Sequence, residues 1–298
     1  MFGKVLDKTN ENKNLNSCLY DWKSVFKVLD EINNLDLNIK FKISVIIIND
    51  ASNHDLPDLE KNLENIDSIK VINMSINQGH TRSIAVGLKY IFEKEDFDYA
   101  IPMDGDGEDR PEEIKMFLDQ AENFNGKTFV GERIKRSENI VFKMCYQIHK
   151  LITLVFTGKS VKFGNYTCLP KATVEKLINE KATWNSFSGS LTKVESSLTP
   201  IPSIRGVRYF GPSQMSFVNL VKHSLAIISV FRKTFLIRSA LFIVIYIWMI
   251  KSNASIITSL PLMLLLIAVY LVSNLALREN MSEFKNSLSQ IKNIEQIK

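Results

Sequence analysis

The sequence predicts an α/β domain with a mostly parallel, doubly wound sheet, then an amphipathic helix and a two-helix membrane hairpin. Three observations lead there. Apolar runs of strand length alternate with helical spacing between residues 22 and 180. Two of those runs end in acids, Asp50 and Asp104, where open parallel sheets place their ligands. Ala254 to Leu277 carries no charge and, at about 1.5 Å per residue, reaches roughly 36 Å, enough to cross a bilayer core.

The elements follow in order. Trp22 to Asn33 has helical spacing (Trp22, Val25, Phe26, Leu29, Ile32), and Phe41 to Ile48 is a β-branched run ending at Asn49-Asp50. Leu56 to Ile66 reads as a helix and Ile69 to Met74 as a strand. Thr81 to Phe92 sets Ile84, Ala85, Leu88 and Ile91 on one helical side. Tyr99 to Met103 is a strand running into acids, and Pro111 to Phe124 a helix with proline at its first position. Thr128 to Val130 is a strand, and Glu138 to Phe156 a long helix.

Composition narrows the class. The chain has 298 residues, with 45% hydrophobic and 23% charged, which excludes a disordered or low-complexity protein. Cys18, Cys145 and Cys168 are scattered, without C-x-x-C spacing, which excludes a disulfide framework and suits a reducing compartment. Met1 to Asn16 is polar, so no secretory signal is expected. The net charge of +5 is unevenly spread: Ser196 to Arg278 contains no Asp or Glu but several Lys and Arg, which leaves the rest mildly acidic. An acid-free, basic and apolar segment points to an anionic membrane surface. Nucleic acid is not an expected partner, because these basic residues flank an apolar hairpin and are not interleaved with aromatic platforms.

Ser239 to Ile250 is a shorter uncharged run, extended by Phe235-Leu236-Ile237 if Arg238 snorkels. Lys251-Ser252-Asn253 allows only a tight turn, so the two segments form an antiparallel hairpin, itself a surface for a homo-oligomer. Arg232, Lys233 and Arg238 precede it, and Arg278 and Lys285 follow. The positive-inside rule then places a multi-pass protein in the cytoplasmic (inner) membrane, with the soluble domain and both termini on the cytoplasmic side. Met215 to Lys233 reads as an amphipathic helix, either interfacial or packed on the domain. The expected domains are residues 1–212 (soluble domain), 213–234 (interfacial helix), 235–278 (hairpin) and 279–298 (a polar, helical tail).

The run Asp104-Gly105-Asp106-Gly107-Glu108-Asp109 leaves a strand and turns through glycines. Carboxylates two apart in an extended turn can converge on a divalent cation, and hard oxygens suit Mg²⁺ or Mn²⁺. The other reading is a solvated acidic turn before a helix N-terminus.

Several patches together resemble family-2 glycosyltransferases with the GT-A nucleotide-sugar fold. The resemblance is to the membrane-anchored kind similar to dolichyl-phosphate mannose synthase and bacterial polyprenyl-phosphate sugar transferases. Val45 to Ser52 resembles the strand ending in V-D-D-G-S. Asn77-Gln78-Gly79-His80 through Ala85 and Gly87-Leu88 resembles N-x-G-x-x-x-A-x-x-x-G-L, with the alanine one place displaced. Met103 to Ile114 resembles M-D-A-D-L-Q-D-x-P-E-E-I, and Gly131 to Arg136 resembles G-x-R-x-x-R. Phe163 to Tyr166 resembles the later G-N-F strand. Arg205-Gly206-Val207-Arg208-Tyr209 and Gly211-Pro212-Ser213 resemble R-x-x-R-Y-x-G-x-S.

The resemblance implies a nucleotide-sugar donor and a polyprenyl-phosphate acceptor. Asp50, Asp104 and Gly79 would bind donor, and Asp104 and Asp106 would be catalytic. Asp106 and Glu108 would hold the metal. Arg133, Arg136, Arg205, Arg208 and Ser213 would clamp acceptor phosphate, because guanidinium pairs well with phosphate. His80 and Arg82, at a helix start, are a further place for donor phosphate.

Two departures stand out. The family's opening strand before P-x-Y-N looks degenerate or missing, since Lys8 to Asn14 cannot be a buried strand. Trp184 to Ser188 offers no carboxylate where many members carry a catalytic base. A lipid phosphate needs no such base, being already anionic. The first departure supports an alternative, a catalytically silent membrane scaffold or partner subunit.

Overall fold

The computed structural model describes residues 2–6, 16–37, 41–52, 57, 63–135, 140–211 and 217–298. An eight-stranded mixed sheet forms the centre, ordered β7-β5-β6-β4-β1-β2-β3-β8. These strands are β1 (Phe2–Leu6), β2 (Ser44–Asn49), β3 (Ser68–Met74), β4 (Tyr99–Pro102), β5 (Thr128–Lys135), β6 (Phe163–Pro170), β7 (Leu198–Ile204) and β8 (Ile291–Gln296). β1 pairs in parallel with β2 and β4, β2 with β3, and β5 with β7; β6 and β8 join antiparallel.

Period-two side-chain alternation divides the core into two layers. From β2, Val45 and Ile47 pack with Trp22, Leu29, Ile114 and Phe117 of α1 (Asn16–Asn33) and α3 (Glu113–Asn123). Ile46 and Ile48 pack on the other face with Ile84, Leu88 and Ile91 of α2 (His80–Lys94). Strands buried on both faces read as continuous apolar runs, which is why this part of the fold was predictable.

Three expectations change. The opening strand is present: Phe2–Leu6 pairs with β2 from Phe2↔Val45 to Leu6↔Asn49. It precedes Lys8 to Asn14, which lie outside the described residues, so the sheet's middle is closed and the ground for a silent scaffold falls. The expected helix Leu56 to Ile66 lies largely outside the described residues, and its visible end, Glu64-Asn65, is a turn. The polar tail is not helical throughout. After the short α10 (Met281–Lys285) it returns to the sheet as β8, antiparallel to β3. Lys298 Nζ there donates to the Leu63 and Ile66 carbonyls, at 2.7 and 2.5 Å. A polar edge strand faces solvent on one side, so its apolar signal is thin.

α4 (Ile140–Thr157) follows β5, and α5 (Lys171–Ile178) and α6 (Phe187–Val194) pack on the α2 side. α7 (Phe217–Val230) lies against α6, joined by Asn185 Nδ2 donating to Ser229 Oγ at 2.8 Å. α8 (Arg232–Ile250) and α9 (Ile256–Ala276) form the hairpin, 19 and 21 residues long and apolar enough to cross a membrane. Their apolar surfaces face outward, Val244 being 66% and Leu264 63% exposed, unlike a soluble core helix. Ser255 opens α9 with a capping box to Thr258.

Candidate active site

Asp50 follows β2, and Ala51 then takes a left-handed conformation (φ 57°), turning the chain out of the sheet. The Asp50 carboxylate accepts from the backbone N–H of Gln78 at 2.8 Å and of Gly79 at 2.7 Å, and the Asp50 carbonyl accepts from Asn77 Nδ2 at 3.1 Å. At 1% exposure, Asp50 shapes this loop rather than presenting an open carboxylate. Gly79, at φ 86°, caps α2 and sets His80 at the site. His80 Nε2 lies 3.6 Å from Asp104 Oδ1 and 2.6 Å from Asn165 Nδ2. Arg82 does not join it. Two residues further round the helix it turns away, pairs with Glu283 at 3.1 Å and stacks on Trp184.

The acid turn leaves β4. Asp109, which sequence reasoning missed as a site residue, is buried beneath it. Its carboxylate accepts from Asp104 N–H at 2.9 Å and faces Arg133 Nη2 at 3.4 Å. Burial pushes the Asp109 carboxyl up to about 7, reinforced by the neighbouring Asp104 charge and opposed by Arg133. Glu113, also missed, is buried and accepts from Ser203 Oγ at 2.7 Å and Ile204 N–H at 2.8 Å, fixing the end of β7. Both stand where the resemblance motif itself carries acids, which was the available signal.

The segment after β7 lies on the acid turn. Gly206 N–H donates to the Glu108 carbonyl and Tyr209 N–H to the Asp106 carbonyl, both at 2.9 Å. Gly107, at φ 91°, leaves room for the Tyr209 ring, where a Cβ would sit within 2.6 Å of it. Arg208 Nη1 meets Asp106 Oδ2 at 3.0 Å, and Arg205 pairs with Glu108. Burial raises the Glu108 carboxyl, as does Asp106, while Arg205 lowers it.

The structure therefore brings Asp104, Asp106, Glu108, Arg133, Arg205 and Arg208 together, with Gly79 beside them through His80. Arg136 and Ser213 lie outside the described residues. Among the described residues no three His, Cys, Asp or Glu side chains converge as a metal cluster. The donor set still suits a hard cation. Asp104 and Asp106 are part-exposed, and Mg²⁺ is commonly held by one or two carboxylates together with substrate phosphates. Asp106 and Glu108 are each paired with an arginine, Arg208 and Arg205, so a cation would compete with a guanidinium at either carboxylate.

A mixed sheet with acids at the carboxyl ends of parallel strands, followed by two long apolar helices, defines a GT-A-type glycosyltransferase domain with candidate membrane spans. The chain belongs to glycosyl transferase family 2, whose model matches residues 14–184. Among solved structures, it is similar to S. aureus TarS 1-349, at 10% identity and TM-score 0.47, over 97% of this chain and 91% of that one. The same TarS fragment in complex with UDP-GlcNAc gives 11% identity and TM-score 0.49, over the same shares of each chain. S. aureus TarS itself gives 11% and 0.43, over 78% of this chain and 39% of that one. No curated protein matches the sequence.

Proposed function

We propose that this glycosyltransferase moves a sugar from a nucleotide-diphosphate donor to polyprenyl phosphate, or a related lipid phosphate, at the cytoplasmic face of the inner membrane. The carrying observation is the pairing of Arg208 with Asp106 and of Arg205 with Glu108 on the acid turn that begins at Asp104, the arginines lying ahead of a hairpin with outward-facing apolar surfaces. The soluble domain spans residues 1–212 together with the returning tail 279–298. Residues 213–234 are a membrane-proximal segment that carries α7, and 235–278 the hairpin. α7 packs on α6 before the hairpin, and α10 and β8 rejoin the domain after it, which supports both hairpin ends lying on one membrane face.

In this mechanism a lipid phosphate oxygen attacks the anomeric carbon. The bond from that carbon to the donor diphosphate breaks, and the nucleoside diphosphate leaves with the electron pair. No general base is required, in keeping with the absence of a carboxylate from Trp184 to Ser188. Asp104 and Asp106 would hold Mg²⁺ or Mn²⁺, which when bound supplies positive charge to the donor diphosphate. Arg208 is released from Asp106 as the site fills and turns to phosphate, and Arg133 remains oriented by Asp109. Preorganised guanidinium groups stabilise charge developing on the leaving diphosphate. Asp50 serves the donor through the Gln78-Gly79 loop that it holds.

The test is donor binding to the full chain in detergent, titrating nucleotide sugars with Mn²⁺ by calorimetry. One donor class binds saturably, and Asp106→Asn removes the metal-dependent part. A parent protein that binds no nucleotide sugar under these conditions overturns the reading.

A further inference from the structure

We infer that Glu295, on the strand that returns to the sheet after the hairpin, is a positioning residue for the donor side of the site: through Asn73 and Asn49 it orients the turn that follows Asp50. This rests on the proposed function, in which the Asp50 turn and the Gln78-Gly79 loop serve the donor. Side chains on three adjacent strands form one continuous ladder. Glu295 Oε1 on β8 accepts from Asn73 Nδ2 on β3 at 2.6 Å. Asn73 Oδ1 accepts from Asn49 Nδ2 on β2 at 2.8 Å, and the two asparagines are direct partners in the parallel register. Asn49 Oδ1 then accepts from the Ser52 N–H at 3.0 Å. The turn so held contains Ala51 in its left-handed conformation, and Asp50, which accepts from the Gln78 and Gly79 N–H groups.

The ladder has a direction, and Glu295 sets it. An amide side chain has nearly the same shape either way round, so its hydrogen-bond partners decide which end faces which. A carboxylate only accepts. Asn73 must therefore give its NH₂ group to Glu295, which leaves its oxygen for Asn49. Asn49 must give its NH₂ group to Asn73, which leaves its oxygen for the Ser52 N–H. Turned the other way, Asn49 would set donor against donor at the turn. Asn49 is buried, so water cannot repair that mismatch. Asn293 Nδ2 donates to the same Glu295 oxygen at 3.0 Å and helps to hold the carboxylate in place. The rest of the tail is anchored independently. Trp184 Nε1 donates to Glu283 at 2.8 Å, the Trp184 and Phe284 rings stack, and Lys298 Nζ holds the Leu63 and Ile66 carbonyls. Substitution at Glu295 therefore leaves the tail docked.

The test compares Glu295→Gln, Glu295→Ala and Glu295→Lys with the parent, each as the full chain in detergent, by titrating a panel of nucleotide sugars with Mn²⁺ and by thermal unfolding. Gln keeps an accepting oxygen, Ala offers none, and Lys offers only donors and forces the ladder round. Donor affinity should stay near the parent in Glu295→Gln, fall about tenfold in Glu295→Ala, as for one lost hydrogen bond, and fall further in Glu295→Lys. Adding Glu295→Ala to Asn73→Ala should cost no further affinity, because the two act as one chain. Lys298→Ala, which loosens the tail without touching the ladder, should lower the melting temperature and leave donor affinity unchanged. Donor binding at the parent level in both Glu295→Ala and Glu295→Lys, or additive losses with Asn73→Ala, overturns the inference and leaves the donor assignment standing. Equal losses in all three Glu295 variants, or the same loss in Lys298→Ala, assign the effect to charge or to tail docking and also overturn it. A parent that binds no nucleotide sugar brings down the donor assignment, and this inference with it.

Discussion

Asp50 holds Gly79: the carboxylate at the end of β2 accepts the N–H that opens α2, at 2.7 Å, and the neighbouring Gln78 N–H at 2.8 Å. One buried side chain thus ties a sheet end to the helix that carries His80. Hydrogen bonds to a charged group contribute about 1.5–3 kcal/mol each, so the contact is strong enough to set the loop.

Asp50→Ala should therefore lower stability by about 2–4 kcal/mol, since two N–H groups lose a charged partner. Asp50→Asn, which can accept through only one atom, should fall between the two. Thermal unfolding of the detergent-solubilised chain measures both. Three equal melting temperatures would mean that the loop is held by other contacts.

The Arg208–Asp106 pair predicts competition. Each partner is about one-fifth exposed, so the pair contributes about 1 kcal/mol. Arg208→Ala should then raise Mn²⁺ affinity of the donor-free protein by about fivefold, because 1.4 kcal/mol corresponds to tenfold. Transfer activity should nevertheless fall. Electron paramagnetic resonance of free Mn²⁺ reads the affinity, and a weaker or unchanged affinity would show that Arg208 does not guard Asp106.

Gly107 and Gly126 make a matched pair. Both have positive φ, but a Cβ at Gly107 meets the Tyr209 ring and one at Gly126 meets nothing within 4 Å. Gly126→Ala should cost only backbone strain, about 1–2 kcal/mol. Gly107→Ala should cost more and should also reduce transfer, because Tyr209 must leave its bond to Glu31 and its contact with Lys27. Equal melting temperatures and equal rates would show that the segment after β7 is not seated on the acid turn.

Cys168 predicts alkaline sensitivity. Burial pushes its thiol up to about 12. The pKa is raised in the folded state, so this stabilisation is complete below the unfolded value, about 8.5, and is lost as pH rises toward 12. Across that window the melting temperature should fall, with a slope from this residue of about 1 kcal/mol per pH unit. Cys168→Ala should begin lower but decline less steeply. Parallel decline in the two proteins would assign the alkaline loss to other groups, such as the buried Tyr166, which burial also raises.

The alternating strands and helices were legible because β2 and β3 are buried on both faces and carry β-branched runs. β1 was not, since Phe2–Leu6 is five residues long, contains Gly3 and Lys4, and gains its definition from pairing with β2 and β4. β8 was not, because Ile291–Gln296 is a polar edge strand whose partner, β3, lies far away in the chain. The membrane reading of residues 196–278 rests on missing acids; the same absence at 139–174 gives a weaker signal, since Lys143, His149 and Lys150 interrupt the apolar run of α4. At the site, the acids and arginines were found as separate motifs. Their mutual pairing, Arg205 with Glu108 and Arg208 with Asp106, joins residues about a hundred positions apart and becomes visible only in three dimensions.

The central claim is transfer of sugar to a lipid phosphate. Its most direct measurement incubates the purified full chain, reconstituted with polyprenyl phosphate and Mn²⁺, with a panel of radiolabelled nucleotide sugars, followed by organic extraction. The account predicts that one donor places label in the lipid phase only when polyprenyl phosphate is present, and that Asp106→Asn abolishes it. Label that reaches a water-soluble sugar acceptor instead, or lipid labelling that is indifferent to the phosphate group, would contradict it.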